Sequence, residues 1–130
     1  MKSRIIPTIP ETILSYNIGE KAAALDRAAL SLGMKHCQIP QDKAGESVGF
    51  LAGYNGFSSN GTSERAEGEC VIFSGISGKR LDLLLKAMRG ENLDIPLKAV
   101  VTAHNQSRSV QWLIGELSKE HEAVTKAAKK

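Results

Sequence analysis

Apolar positions along the chain come in two spacings, short unbroken runs and stripes three or four residues apart. The first run, TILSYNI at 12–18, has strand character and is closed by Gly19. Residues 20–32 follow with Ala22, Leu25, Ala29 and Leu32 on one helical stripe, and Gly33 supplies a stop. A second strand at 35–39 ends at Pro40, and SVGFLAG at 47–53 reads as a short helix weakened by Gly49 and Gly53. Residues 54–69 break the pattern, because glycine, serine, threonine and asparagine dominate there and mark a loop. The continuous run CVIF at 70–73 predicts a third strand, and Ser77 is placed to cap a helix with the stripe Leu81, Leu84, Leu85 and Met88, ended by Gly90. A fourth strand is expected over 97–103. Ser109 then caps a last helix that turns Val110, Leu113, Ile114, Leu117 and Val124 inward.

The order strand-helix-strand-helix occurs twice, and the sequence repeats with it. SVGFLAG at 47–53 lies over SVQWLIG at 109–115, keeping an aromatic as Phe50 and Trp112. Upstream, Ile18 lies over Ile76, Lys21 over Lys79 and Leu25 over Leu83. The reading is a single domain, 1–130, with an internal pseudo-repeat of 12–53 and 70–124 joined by the loop 54–69. Phe50 and Trp112 are then expected in equivalent places, packed inward beside Leu51 and Leu113. Alternating strands and helices predict an α/β fold: a four-stranded, mainly parallel sheet in the order 2-1-3-4, built from two tandem βαβα halves with helices on both faces. Runs such as 70–73 and 99–101 lack in-out alternation, as strands covered on both faces do. A ferredoxin-like α+β sheet is the alternative.

Composition narrows the function classes without choosing one. The chain has 42% hydrophobic and 24% charged residues, the balance of an ordinary globular protein. Net charge is +3, but Lys126, Lys129 and Lys130 account for that excess, and aromatics are only 5%. Without a basic face or stacking aromatics, no nucleic-acid partner is expected. Apolar runs are too short to span a bilayer, and MKSRIIPTIPET lacks an apolar signal core, so no membrane association and a cytoplasmic location are expected. Cys37 and Cys70 sit singly in apolar runs and read as small buried hydrophobes. His121 with Glu116 and Glu120 has a spacing open to a metal, yet such residues ordinarily form a solvated helix face; no metal and no cofactor are expected.

In the order 2-1-3-4, an all-parallel sheet would have a switch point between its first and third strands, where ligands of open α/β sheets bind. The loops lining that crevice would carry Asn17 and Gly19 on one side and Ser74, Gly75, Ser77, Gly78 and Lys79 on the other. A glycine-rich turn entering a helix favours an anion, although SGISGKR does not have the spacing of a P-loop. The plainer reading, in which Gly75 eases a turn and Ser77 caps a helix, is favoured; any ligand held there is expected to be a small anion.

ECVIFSGISGKRLDLLLKAM, then IPLKAVVTAHNQS and the tryptophan of VQWLIGELSKEHE, resemble a small bacterial family known only as domain of unknown function 3783. The resemblance covers the C-terminal half. It implies a strand ending in a glycine turn, a helix, a second strand end and a Trp-bearing helix, and it implies no activity. Ala103 stands where the family tends to carry proline, and His104 is outside the pattern.

His104 is the weak catalytic candidate, since Lys98, Thr102, Asn105, Gln106 and Ser107 surround it in sequence. No nucleophile or carboxylate is placed beside it to act as partner, and Asn105 and Ser107 read as turn formers. His104 is expected to be exposed, with His104→Ala changing stability by under about 0.5 kcal/mol. The function read from the sequence is therefore a small, non-enzymatic binding or regulatory module, open to forming a homodimer. The rival is a small enzyme acting on an anionic metabolite through His104, with Lys79 or Asn17.

Overall fold

A computed structural model describes residues 10–54, 56–76 and 78–128, with side chains of the last helix described as far as Glu120. The four apolar runs become β1 (Thr12–Tyr16), β2 (Lys35–Ile39), β3 (Cys70–Ser74) and β4 (Leu97–Val100). The helices are α1 (Lys21–Ser31), α2 (Val48–Ala52), α3 (Gly78–Gly90) and α4 (Val110–Ala128). One mixed sheet has the order β2-β1-β3-β4, the expected order in an α/β fold. No helix among the described residues is long and apolar enough to cross a membrane.

Alternate residues of the central strands feed two cores. Ile13, Val71 and Phe73 face α1 and α3, packing with Leu25, Ala29, Leu84 and Met88. Leu14, Tyr16, Cys70 and Ile72 face the other way, against Val48, Val110, Leu113 and Ile114 from α2 and α4. Both faces of β1 and β3 are covered, which is why neither shows in-out alternation and why β3 opens on the unbroken run CVIF.

The direction of the strands corrects the expected switch point. β1 is parallel to β2 and β3 is parallel to β4, but β1 and β3 are antiparallel, with Thr12 opposite Ser74 and Tyr16 opposite Cys70. The cause is the return path. β2 ends at Ile39 beside Tyr16, and the 54–69 loop, which starts with Tyr54 against Ser74, returns to that end before β3. Glu64 N donates to Asp42 O at 2.9 Å, and Ala66 N donates to the Tyr16 hydroxyl at 3.0 Å. β3 therefore starts where β1 stops, and must run back. A strand apolar on both faces carries no mark of its direction.

The helices α2 and α4 begin at one seam. Val48 N donates to Arg108 O at 2.8 Å and Val110 N to Glu46 O at 3.2 Å; Gly49 N donates to Gln106 O at 2.7 Å and Gln111 N to Ala44 O at 2.8 Å. Ser109 Oγ accepts from Trp112 N at 3.0 Å, capping α4 as expected, and Ser47 Oγ accepts from Phe50 N at 3.2 Å and caps α2 in the same way. Phe50 and Trp112 are each half-buried. The expected cap Ser77 and the inward Val124 lie outside the described residues and side chains.

The fourth strand stops sooner than its apolar run suggests. Asn105 Oδ1 accepts from Thr102 N at 2.9 Å, Thr102 Oγ1 accepts from Asn105 N at 3.1 Å, and Asn105 Nδ2 donates to Val100 O at 3.0 Å. This buried asparagine satisfies the strand's last polar groups and turns the chain toward α4.

Candidate functional site

The chemistry-bearing cluster around His104 is a turn. His104 is exposed, with its ring edge-on to Trp112 at a centroid separation of 6.4 Å, and the Arg108 guanidinium sits 4.8 Å from the same indole. Lys98 lies earlier on β4, also exposed. The side chain of His121, weighed with Glu116 and Glu120, lies outside those described.

The residues expected to share an anion site are divided between opposite ends of the sheet. Asn17 and Gly19 follow β1, whereas Ser74 ends β3, which runs the other way, and Gly75, Gly78 and Lys79 come after it. A five-residue strand, about 17 Å, separates the groups. Ser77 lies outside the described residues. At the β3 end the turn is closed: Ser74 is fully buried, its hydroxyl 2.9 Å from the Tyr54 hydroxyl. Arg80 grips Glu11 through Nε at 2.9 Å and Nη2 at 2.7 Å, and also donates to Leu32 O. That guanidinium holds the Glu11 carboxyl below its ordinary value.

The β1 end is open. A cavity of about 570 Å³ is lined by Tyr16, Asn17, Gln41, Arg65, Ala66, Glu67 and Gly68. Its wall is a ladder of amides. Asn17 Nδ2 donates to Gly68 O at 3.4 Å, Gln41 Nε2 donates to Asn17 Oδ1 at 2.9 Å, and Arg65 Nη1 donates to Gln41 Oε1 at 3.3 Å. Tyr16 fixes the floor, since its hydroxyl donates to Gln41 O at 2.7 Å while accepting from Ala66 N. Asn17 has φ +60°, a left-handed conformation that asparagine tolerates better than most residues. Arg65 is exposed, and among the described residues its guanidinium forms no ion pair.

A second cavity, about 220 Å³, adjoins the first by sharing Asn17 and Gln41, and adds Ser15, Ile18, Gly19, Gln38 and Ile39. Beneath it lies a bonded trio. Ser15 Oγ is 2.7 Å from His36 Nε2, and His36 Nδ1 bonds the Asp26 carboxylate. Ser15 is 1% exposed and the His36 side chain 3%, whereas the Asp26 side chain is 61% exposed.

Two other polar groups serve the scaffold. Glu46 is fully buried and ties down the 54–69 loop, accepting from Ser59 Oγ at 2.5 Å and Asn60 N at 2.9 Å. The Ser59 hydroxyl first, and then the Asn60 amide, hold its carboxyl below the ordinary value. Burial pushes the Cys70 thiol up to about 12, which leaves it protonated and unreactive near neutral pH.

Of the residues expected to meet a ligand, Asn17 and Gly19 line these cavities; the sequence does not single out Gln41, Arg65, Ser15, Asp26 or His36. Those three last residues stand on β1, α1 and β2, and only the crossover between the two parallel strands brings them together. One signal was available: Ser15 interrupts an apolar strand on its helix-facing side, and His36 has the parity to share that side on the neighbouring strand.

Comparison with known proteins bears on the other part of the chain. Residues 69–124 match the model of a family described as Domain of unknown function (DUF3783), in agreement with the resemblance of the C-terminal half. No curated protein and no solved structure matches the chain. The match begins one residue before β3 and ends within α4. Both cavities and the Ser15–His36–Asp26 trio are thus built by residues that precede it.

Proposed function

We propose that the chain is a small binding module whose larger cavity, at the ends of β1 and β2, takes a compact polar molecule carrying one anionic group. The observation that carries this reading is Arg65, a guanidinium on the cavity wall without an ion-pair partner among the described residues, next to the Asn17 and Gln41 amides. A guanidinium offers paired donors to a carboxylate or phosphate, and the amides add neutral hydrogen bonds. Glu67 on the same lining opposes multiple negative charge. A monoanion with a hydroxyl or ammonium group therefore fits better than a polyphosphate. The free state of both cysteines accords with a cytosolic location.

Two to four such bonds, each contributing about 0.5–3 kcal/mol net, correspond to micromolar to millimolar binding. The test is an amide shift titration with acetate, inorganic phosphate and glycine. Saturable shifts at residues 17–19, 41 and 65–68 are expected, weakened about tenfold by Arg65→Ala, which corresponds to about 1.4 kcal/mol. Still amides at those positions at ligand concentrations of about 10 mM, well into the weak-binding range, overturn the reading.

A further inference from the structure

We infer that Ser15, His36 and Asp26 form an acyl-transfer site that opens into the smaller cavity and acts on small esters. The connectivity is the one such chemistry needs. A carboxylate only accepts hydrogen bonds, so the Nδ1 facing Asp26 carries the hydrogen. Nε2 is then left as an acceptor, and it lies 2.7 Å from Ser15 Oγ, within reach for taking the hydroxyl proton. Asp26 is a positioning residue, fixing the tautomer and favouring the imidazolium that forms.

The fold itself does not require this polar trio. β1–β2 and β3–β4 pair in the same register, with Thr12 opposite Lys35 and Cys70 opposite Leu97. Matched that way, Ser15 corresponds to Phe73 and His36 to Lys98. The alignment that places Ile18 over Ile76 puts Leu84 opposite Asp26. Phe73 is 2% exposed and Leu84 0%, so the second pair fills the same layer with apolar packing. Replacing a buried polar network by packed apolar groups is commonly neutral or stabilising. A polar network kept in one pair alone, under a cavity, calls for a reason other than packing.

Ser15 is only 1% exposed, so a substrate would have to reach it through this cavity. Ser15 lines it, and its Ile18–Gly19 wall leads directly into the first turn of α1. Lys21 N and Ala22 N are bonded back to Ile18 O and Gly19 O at 3.1 and 3.2 Å, so what the helix offers a negative oxygen is the positive end of its dipole. With an ester, Ser15 Oγ bonds to the acyl carbon while its proton passes to His36 Nε2. Collapse of the tetrahedral adduct breaks the acyl C–O bond, and the departing alkoxide takes the proton from Nε2. Water then attacks the acyl-serine, giving its proton to Nε2, and Ser15 leaves with that proton, so the products are one acid and one alcohol. A volume of about 220 Å³ limits the acyl group to a few carbon atoms.

The test uses the full chain with a fluorophosphonate probe and with p-nitrophenyl acetate. Mass spectrometry is expected to find the phosphonyl adduct on Ser15. Ester turnover is expected to fall at least tenfold in both Ser15→Ala and His36→Gln, and to be unchanged in His104→Ala, which removes an exposed imidazole able to hydrolyse activated esters unaided. Circular dichroism shows whether each variant folds. Should one not fold, labelling of the unaltered chain decides. A folded wild-type chain that takes no label on Ser15, or turnover that follows His104, overturns the inference and makes the trio a structural brace. Labelling needs no anion, so this outcome is independent of the Arg65 cavity.

Discussion

The turns after β1 and after β3 have related sequences and opposite fates. Each places a buried isoleucine, Ile18 or Ile76, into the core beneath α1 and α3, and each includes a glycine with positive φ, Gly19 or Gly75. The first borders two cavities. The second is filled by the Tyr54–Ser74 contact and clamped by Arg80 on Glu11. What differs is the segment laid over each turn. The 54–69 loop crosses the β1 end and is held to it by the Tyr16 hydroxyl, the Asn17 amide and the Lys21–Glu69 ion pair, yet leaves space between. At the other end, the chain entering β1 brings a carboxylate straight onto Arg80. An open cavity here depends on how loosely a neighbouring segment covers a turn, rather than on the turn's glycines.

The strongest test of that contrast sets Leu84 against Asp26. Leu84→Ala removes a fully buried side chain from the core shared with Met88 and Leu25, and a loss of about 2–5 kcal/mol is expected. Asp26→Ala, at the matched position over the open turn, removes a largely exposed carboxylate and is expected to cost under about 1 kcal/mol. Urea unfolding measures both. Equal losses would mean that the polar trio carries the first pair as apolar packing carries the second.

The sequence shows the elements well because their signals are local. Stripes such as Leu81, Leu84, Leu85 and Met88, caps such as Ser109, and the unbroken CVIF run are each written within a few residues, and each is found where expected. The strand order was legible from the alternation of elements. Strand direction was not, since it depends on where the 54–69 loop returns, and that rests on distant bonds from Glu46 to Ser59 and from Tyr16 to Ala66. The site inherited that error. Gly75 and Lys79 were grouped with Asn17 by an assumed direction, while Arg65 sits in a stretch whose composition signals only a loop.

The seam between α2 and α4 offers a smaller, sharper comparison. At Gly49 an added Cβ would stand 2.7 Å from the Phe57 ring and 2.9 Å from the Gln106 carbonyl. Gly49→Ala is expected to cost about 1–3 kcal/mol, because a backbone atom must shift to admit it. The matching amide belongs to Gln111, which is exposed, and Gln111→Ala is expected to stay within about 0.5 kcal/mol. Next in size is Tyr16→Phe, which strips the hydroxyl from between Ala66 N and Gln41 O. A cost of about 1–2 kcal/mol is expected, together with faster hydrogen exchange at Ala66 and weaker anion shifts at Gln41. A change in stability that leaves both unaltered would mean that Tyr16 does not shape the larger cavity.

The smallest effect belongs to the closed end. Glu11→Gln removes the charge that clamps Arg80, in a pair whose side chains are about one-third exposed, where solvent and salt screen much of the attraction. The Arg80 guanidinium holds the Glu11 carboxyl below its ordinary value in the folded protein. The unfolded chain therefore binds this proton more readily than the folded one, and stability contributed by the pair rises with pH through the carboxylate range. That contribution is fully present above the unfolded pKa and is lost as pH falls through the lowered folded value. Urea midpoints of the wild type and Glu11→Gln are expected to differ slightly at neutral pH, to converge in acid, and to converge also at about 1 M salt, where the Debye length is about 3 Å. A gap that persists in acid would assign the effect to the shape of the side chain instead of its charge. New anion-induced shifts at residues 75–79 in this variant would show that the closed turn is a site held shut by Glu11, and would erase the contrast between the two ends.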